Sequence, residues 1–595
     1  MQSNAPAGLV LAGLSLVFVS SPGTADFEGE RVVVTASRSD QAPTAPLASV
    51  SVIDREQIER SQVPDLLELL RLEAGVDVAR TGGPGAQTSV FLRGSNSNHA
   101  LVLIDGIRAA AAGTGGFAWE LLDPALIERI EIVRGPRAAR WGSDALGGVI
   151  QIFTRQPRDP QVRVGYGRYD DRSVSAGFGT SAMGLIASLR SVDGFSAQNE
   201  RGFAFDPDDD GFDKRSLAAS GGHALGAGRL SWHARLADAD IEFDQGESEA
   251  LNYAGRVEYR LGVDRDWQWL FSLAAHRDRL DSVTAFDTSE AITRRIQTAV
   301  QGETLLGNSA NLIVGAEAWR ESGVNRNSWS DSRDNIGIWA GLDGSSGSFD
   351  YETSLRVDRD ELFGTTVSGN LAGGWRPTEQ WRLLASVGRG FRAPTFSQLF
   401  SPGFGGLFAG NPDLDPEKSF STEVAAQWFP GSNHLFDLAL FDTRIDDLID
   451  FSGADFQAIN IRRARIRGAE LRHRFTSEHW ASRFQITWQE PEDRDSGLAL
   501  LRRAEEKASW SLDRQFDGGG WLGAEVLFIG ERFDIGQQRL GSHTLVNLRA
   551  AWPLAAGLRL EGRLENLTDR DYEQIVGFNT PGRSLRVALS WRNGR

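Results

Sequence analysis

The stretch IERIEIVRGPRAARWGSDALGGVIQIFTR, residues 127–155, decides how the chain is read. Two short strand-like runs, Ile127–Val133 and Val149–Thr154, flank a segment rich in Arg and Gly. Arg134, Arg137 and Arg140 crowd together there, and Gly135, Gly142, Gly147 and Gly148 permit tight backbone bends. Upstream, FLRGSNSNHALVLIDGIR (91–108) sets Asp105-Gly106 between two further strand-like runs, the pattern of a hairpin turn. By themselves these stretches describe a small sheet carrying a basic loop.

Composition narrows the class. The 595 residues include no cysteine, which excludes a disulfide framework and thiolate metal sites. With 80 acidic against 63 basic residues, the formal charge of −17 argues against a general nucleic-acid binder. The chain has 66 Gly and 17 Trp, and many turns with many aromatics favour an all-β fold. Eight histidines are scattered without an HExxH, and neither GxSxG nor GxxxxGK[ST] occurs, so no enzyme is expected. His99 and His233 show no acid–base partner in the sequence.

The longest apolar run, Gly8–Val19, is too short to span a bilayer and is followed by small residues. It reads as the core of a signal peptide over residues 1–25. Further on, Asp54 before EQIER and Pro64-Asp65 before LLELL are helix-start signals. From about residue 160 the pattern takes period two. Trp267, Trp269, Phe271, Leu273 and Ala275 share one face against Gln268, Ser272 and Ala274. In the last segment Leu585, Val587, Leu589 and Trp591 oppose Arg586, Ala588 and Ser590. Apolar-out, polar-in strands with interfacial aromatics are the pattern of an outer-membrane barrel, although a sandwich core would also alternate. The roughly 435 residues available suit a 22-stranded barrel at about 20 residues per strand and connection.

In order, RGSNSNHALVLIDGIR and IERIEIVRGPRAARWGSDALGGVIQI closely resemble the plug domain of TonB-dependent outer-membrane transporters. GRGFRAPTFSQLF (388–400), GNPDLDPEKS (410–419), ENLTDRDYEQ (565–574) and PGRSLRVALSW (581–591) resemble barrel segments of the same family. The resemblance implies a 22-stranded antiparallel transmembrane β-barrel with an N-terminal α+β plug inside its lumen. The expected organisation is an N-terminal segment over 26–39, a plug over 40–155 and a barrel over 156–595. Arg31, Val32, Val33, Val34, Thr35 and Ala36 look like the TonB box, which is handed to TonB by strand addition. TonB with its ExbB/ExbD complex, outer-membrane lipid and a monomeric barrel follow from the same resemblance.

Within the family the likeness is to cobalamin (vitamin B12) transporters, on the VVVTASR box, GSNSNHALVLIDGIR, DLIDF (447–451), ARIRGAE (464–470) and LLRRAEEK (500–507). It implies ligand contacts at Ala86, Gln87, Thr88, Asn96, Thr114 and Gly115, with Arg502 or Arg503 from the barrel. Several of these differ in type from the family pattern, and the chain has only six Tyr to stack on a ligand. A ferric siderophore or another corrinoid stays open as cargo, as does the different class of a barrel adhesin or barrel enzyme. Finally, Asp206, Asp208, Asp210 and Gly211 copy the first half of an EF-hand loop, but its twelfth position is Leu217, so that motif is excluded. Carboxylates at this density suit Ca²⁺, and the resemblance adds Asp193 and Asp244 as further ligands.

Overall fold

The computed structural model describes residues 38–39, 45–262, 266–285, 287–307, 309–403, 407–452 and 456–593. The expected signal peptide and the box residues Arg31–Ala36 lie outside them.

The expected helices form where their caps stand. Helix α1 is Arg55–Ser61, with the Asp54 side chain accepting from the Gln57 N–H at 2.9 Å. Helix α2 is Leu66–Leu70, capped by Asp65 through the Leu67 N–H. The strands of the N-terminal half are β1 Val50–Ile53, β2 Val76–Arg80, β3 Thr88–Leu92, β4 Ala100–Ile104, β5 Ile107–Arg108, β6 Ile127–Arg134 and β7 Gly148–Thr154. Five of them form a sheet in the order β1-β6-β7-β4-β5, while β2 and β3 pair as a separate hairpin. The β4–β5 turn is the expected Asp-Gly hairpin, with φ of 49° at Asp105 and 76° at Gly106. Residues such as Ile53, Leu66, Leu70, Leu92, Ile104, Ile130 and Ile152 form the core around this sheet. One expectation changes in character. Strands β6 and β7 are buried on both faces, because the sheet has no solvent side.

The reason is the barrel around it. Among the described residues, 22 antiparallel strands close on themselves, from β8 Gln161–Gly167, β9 Asp171–Gly179 and β10 Met183–Val192 to a last strand, Ser584–Arg592. That last strand pairs with β8 in the register Arg586↔Gly167 to Arg592↔Gln161 and so leaves no edge. Its Leu585, Val587, Leu589 and Trp591 face outward and are exposed, while Arg586 and Ala588 are buried. Stacked pairs Trp267–Trp269, Phe349–Trp375 and Trp381–Trp428 lie near the rim of short turns, as an interfacial girdle does. At the other rim, beside further short turns, lie five long connections: 193–211, 393–416, 494–505, 530–542 and 566–583.

The basic loop is one of the places where the plug grips the barrel. It contains helix α3, Ala138–Trp141, and its arginines meet carboxylates on the inner wall. Arg137 reaches Glu352 at 3.1 Å and Arg140 reaches Asp343 at 3.5 Å. Arg134 lies 3.7 Å from Glu470, which also takes Arg93 Nε at 2.9 Å and Nη2 at 3.1 Å. Arg93 extends to Glu423 as well, so two plug guanidiniums and two wall carboxylates neutralise one another out of water. Gly75, at φ +67°, is required here: a Cβ on it would stand 2.3 Å from Glu470 Oε1. Just before the plug, Arg38 bonds Glu317 at 2.8 Å and lies between the rings of Trp141 and Trp339.

Candidate functional site

The candidate ligand residues gather at the rim of long connections, on the upper side of the plug. Ala86, Gln87 and Thr88 belong to the β2–β3 turn, in which the Thr81 N–H donates to the Gln87 carbonyl at 3.1 Å. Gln87 is exposed, Ala86 half-buried and Thr88 buried, its hydroxyl donating to the Ala86 carbonyl. This turn packs against the 193–211 connection. A Cβ at Gly82 would meet Ala197 Cβ at 2.7 Å, and one at Gly85 would meet the Phe212 ring at 2.4 Å.

Thr114 and Gly115 lie in the second turn, residues 109–117, with Thr114 exposed. This turn docks on helix α4, Phe396–Phe400, whose Phe396 and Ser397 N–H groups donate to the carbonyls of Ala112 and Gly113. Gly115, at φ +69°, admits Thr395 and Asn98, which a Cβ would meet at 3.0 and 3.2 Å. Helix α4 starts in a capping box between Thr395 and Gln398, and Gln398 in turn takes Arg392 at 3.0 Å. These α4 residues lie in the FRAPTFSQLF stretch, but nothing local in it shows that it seats a plug turn.

The two arginines part company. Arg503 turns down onto the plug, donates to Asn96 and lies 4.4 Å over the Phe91 ring. Burial lowers its pKa to about 10, so it stays charged at neutral pH. Arg502, at φ 67°, turns sideways and bonds Asp534 at 2.6 Å in the next long connection. Asn96, Asn98, Gly115 and Arg503 thus form one patch, with the Ala86–Thr88 turn on the side of the 193–211 connection.

The structure supplies partners that the histidines lack in the sequence. Buried His99 places Nε2 3.1 Å from both oxygens of Glu417 on the barrel wall, which also accepts from Arg392. His233 Nδ1 lies 3.9 Å from Asp105, beyond hydrogen-bond distance and an ion pair only when the imidazole is protonated. The pairs join plug to wall across gaps of 318 and 128 residues, which no local pattern announces.

The acidic loop folds in two parts. Asp210 and Asp244 are buried: Asp210 accepts from the Ala197 N–H, and Asp244 accepts from the N–H groups of Gln198 (2.7 Å) and Asp206 (2.9 Å). Burial, then the charges of Asp244, Asp208 and Glu242, push the Asp210 carboxyl up to about 6. Asp193 and Asp208 are exposed and Asp206 half-buried. The donor set is right for a hard cation, but among the described residues no three His, Asp or Glu form a ready cage.

Comparisons with known proteins cover nearly all of this architecture. The family model described as TonB dependent receptor-like, beta-barrel matches residues 149–567. The one described as TonB-dependent Receptor Plug Domain matches residues 44–149. The vitamin B12 transporter BtuB of Photobacterium profundum is 30% identical over 593 residues, covering 94% of this chain and 95% of the relative. Among solved structures, the ferric enterobactin receptor of Pseudomonas aeruginosa superposes with a TM-score of 0.78 at 18% identity, covering 94% of this chain and 100% of that one. The siderophore receptor PirA of Acinetobacter baumannii gives 0.79 at 15% identity with the same coverage.

Proposed function

The chain belongs to the TonB-dependent receptor family of the outer membrane, and on that premise we propose that it carries cobalamin inward. The rim of long connections then faces outside and the rim of short turns faces the periplasm. The apex of the plug is nearly neutral, and this carries the reading. Gln87 and Thr114 are the exposed plug residues there, while Arg502 is paired with Asp534 and the charged Arg503 is buried against Asn96 and the Phe91 ring. A large ligand with little charge is held by shape and a few hydrogen bonds. Exposed Phe203, Phe205, Phe408 and Phe456 add flat apolar faces suited to a corrin ring. A highly anionic ferric complex would call instead for free cations. The 30% identity to a vitamin B12 transporter supports the same cargo, whereas the siderophore receptors at 15 and 18% share the fold alone.

The outer membrane has no nucleotide supply, so energy reaches the receptor from the inner membrane through TonB. In this proposal Arg31–Ala36 is the segment TonB takes up as an added strand, with ExbB/ExbD behind it. Calcium acting on Asp193, Asp206, Asp208, Asp210 and Asp244 belongs to the same reading. A divalent cation would relieve the crowding of Asp208, Asp210, Asp244 and Glu242 and steady the outer loops. Calorimetry on the purified barrel tests the cargo: cyanocobalamin binds and ferric enterobactin does not. The reverse result would hand the site to a siderophore.

A further inference from the structure

Plug and barrel do not close on each other everywhere. Two cavities lie along one wall, between α1–α2 and the barrel strands on either side of the closure. The lower, 640 Å³, opens at the rim of short turns beside Gly557, Trp591 and Arg592 and is walled by α1 and by Ser173, Ser175 and Ser188. The upper, 90 Å³, reaches Pro84 in the apical turn and Phe195 and Tyr572 in the long connections. Pro64, Arg190 and Arg586 line both, so the two are parts of one crevice. An ion cluster forms its waist. Asp171 accepts from Arg190 at 3.0 Å and from Arg586, while Arg190 also donates to the Pro64 carbonyl at 3.0 Å. Half-way round the barrel, on strand Trp381–Arg392, the plug is seated directly: a Cβ at Gly388 would stand 3.3 Å from the Pro136 carbonyl oxygen.

We propose that cargo crosses the barrel along this one wall, past the Asp171–Arg190–Arg586 waist and out through the lower chamber. The inference rests on the transport reading but not on which cargo is carried. The lower chamber already has the volume of a drug-sized ligand site, so the waist and the upper part have to widen most for a larger cargo. Its lining holds eight arginines, seven of them ion-paired with Glu56, Glu59, Glu128, Asp171 or Glu561, so it presents little free charge to a passing cargo. The waist couples passage to the plug, because its plug-side contact is the Pro64 carbonyl between α1 and α2. A displacement of that segment removes the plug-side bond of Arg190 and leaves it held by Asp171 on the barrel wall, without disturbing the far wall.

The chain has no cysteine, so Ser175→Cys places a unique thiol in the lower chamber. Cells carrying it are treated with a small, outer-membrane-permeant fluorescein maleimide, and labelling is followed by mass. Labelled cells are expected to bind cargo at the surface as before but to lose accumulation, while unlabelled cells accumulate normally. A second variant, Pro136→Cys with Gly388→Cys, ties the plug to the far wall, where an added Cβ lies 3.5 Å from Pro136 Cβ, within disulfide reach. It is expected to transport whether oxidised or reduced. Undiminished accumulation in fully labelled Ser175→Cys cells would overturn the route, as would transport by the tethered variant only after reduction. Uptake is followed with both cyanocobalamin and ferric enterobactin. The ligand that unlabelled cells accumulate decides the cargo, and the effect of the label on that ligand decides the route, so the two readings fail separately.

Discussion

Glu470 is a wall carboxylate shared by two plug arginines, and Glu470→Gln measures how far the plug depends on it. Its side chain is fully buried and takes two bonds from Arg93, with Arg134 at 3.7 Å. Removing one charge from a buried, hydrogen-bonded pair costs about 3–5 kcal/mol, because the partner is left uncompensated out of water. Glu423 still faces Arg93 and Gln still accepts a hydrogen bond, so the lower end, about 3 kcal/mol, applies here. The effect falls on seating of the plug and leaves the strand ladder intact. With a urea dependence of about 1–2 kcal/mol/M for a domain this small, release of the plug should shift down by about 2 M. The assay is a fluorophore on Thr114→Cys, the exposed apical position, followed through urea titration in detergent. Barrel integrity is checked in parallel by its resistance to unfolding in unheated detergent gel samples. Asp447→Asn, which removes the exposed partner of Lys418, is the control and should move the midpoint by no more than an exposed pair allows, about 0–1 kcal/mol. A Glu470→Gln midpoint equal to that of Asp447→Asn would refute the reasoning that this cluster anchors the plug.

Three further outcomes are expected. Val34→Pro removes a strand donor and fixes φ, so cells should keep labelled cobalamin at the surface without accumulating it, while Val34→Ala is much milder; normal accumulation in the proline variant, at wild-type receptor level, would strike out Arg31–Ala36 as the coupling segment. Asp208→Asn with Asp210→Asn should abolish any tightening of cargo binding by calcium and its loss in EDTA, leaving the barrel folded; an unchanged calcium response would discard the cation. Val587→Arg should destabilise the barrel by about 2–4 kcal/mol in refolding into vesicles, since Val587 faces lipid, although Arg586 beside it is at home facing inward against Asp171; equal stability would mean that the outward face is not in the bilayer.

The sequence by itself settled whatever depends on near neighbours. Alternation in Leu585–Trp591 decides which face meets lipid, Asp54 and Asp65 start their helices, and Asp105-Gly106 turns its hairpin, each within a few residues. The resemblance carried by residues 91–155 added the plugged barrel, and the structure has that architecture. Closure of the barrel decided the rest. Arg93 meets Glu470 across 377 residues and His99 meets Glu417 across 318, pairings fixed only when every strand register between them is set. The same holds for Arg502 and Arg503, adjacent in sequence yet sent by a positive φ at Arg502 to different partners, Asp534 and Asn96. The crevice beside Ser175 is less legible still. It is defined by where packing stops, and a void between two surfaces has no residues of its own to read.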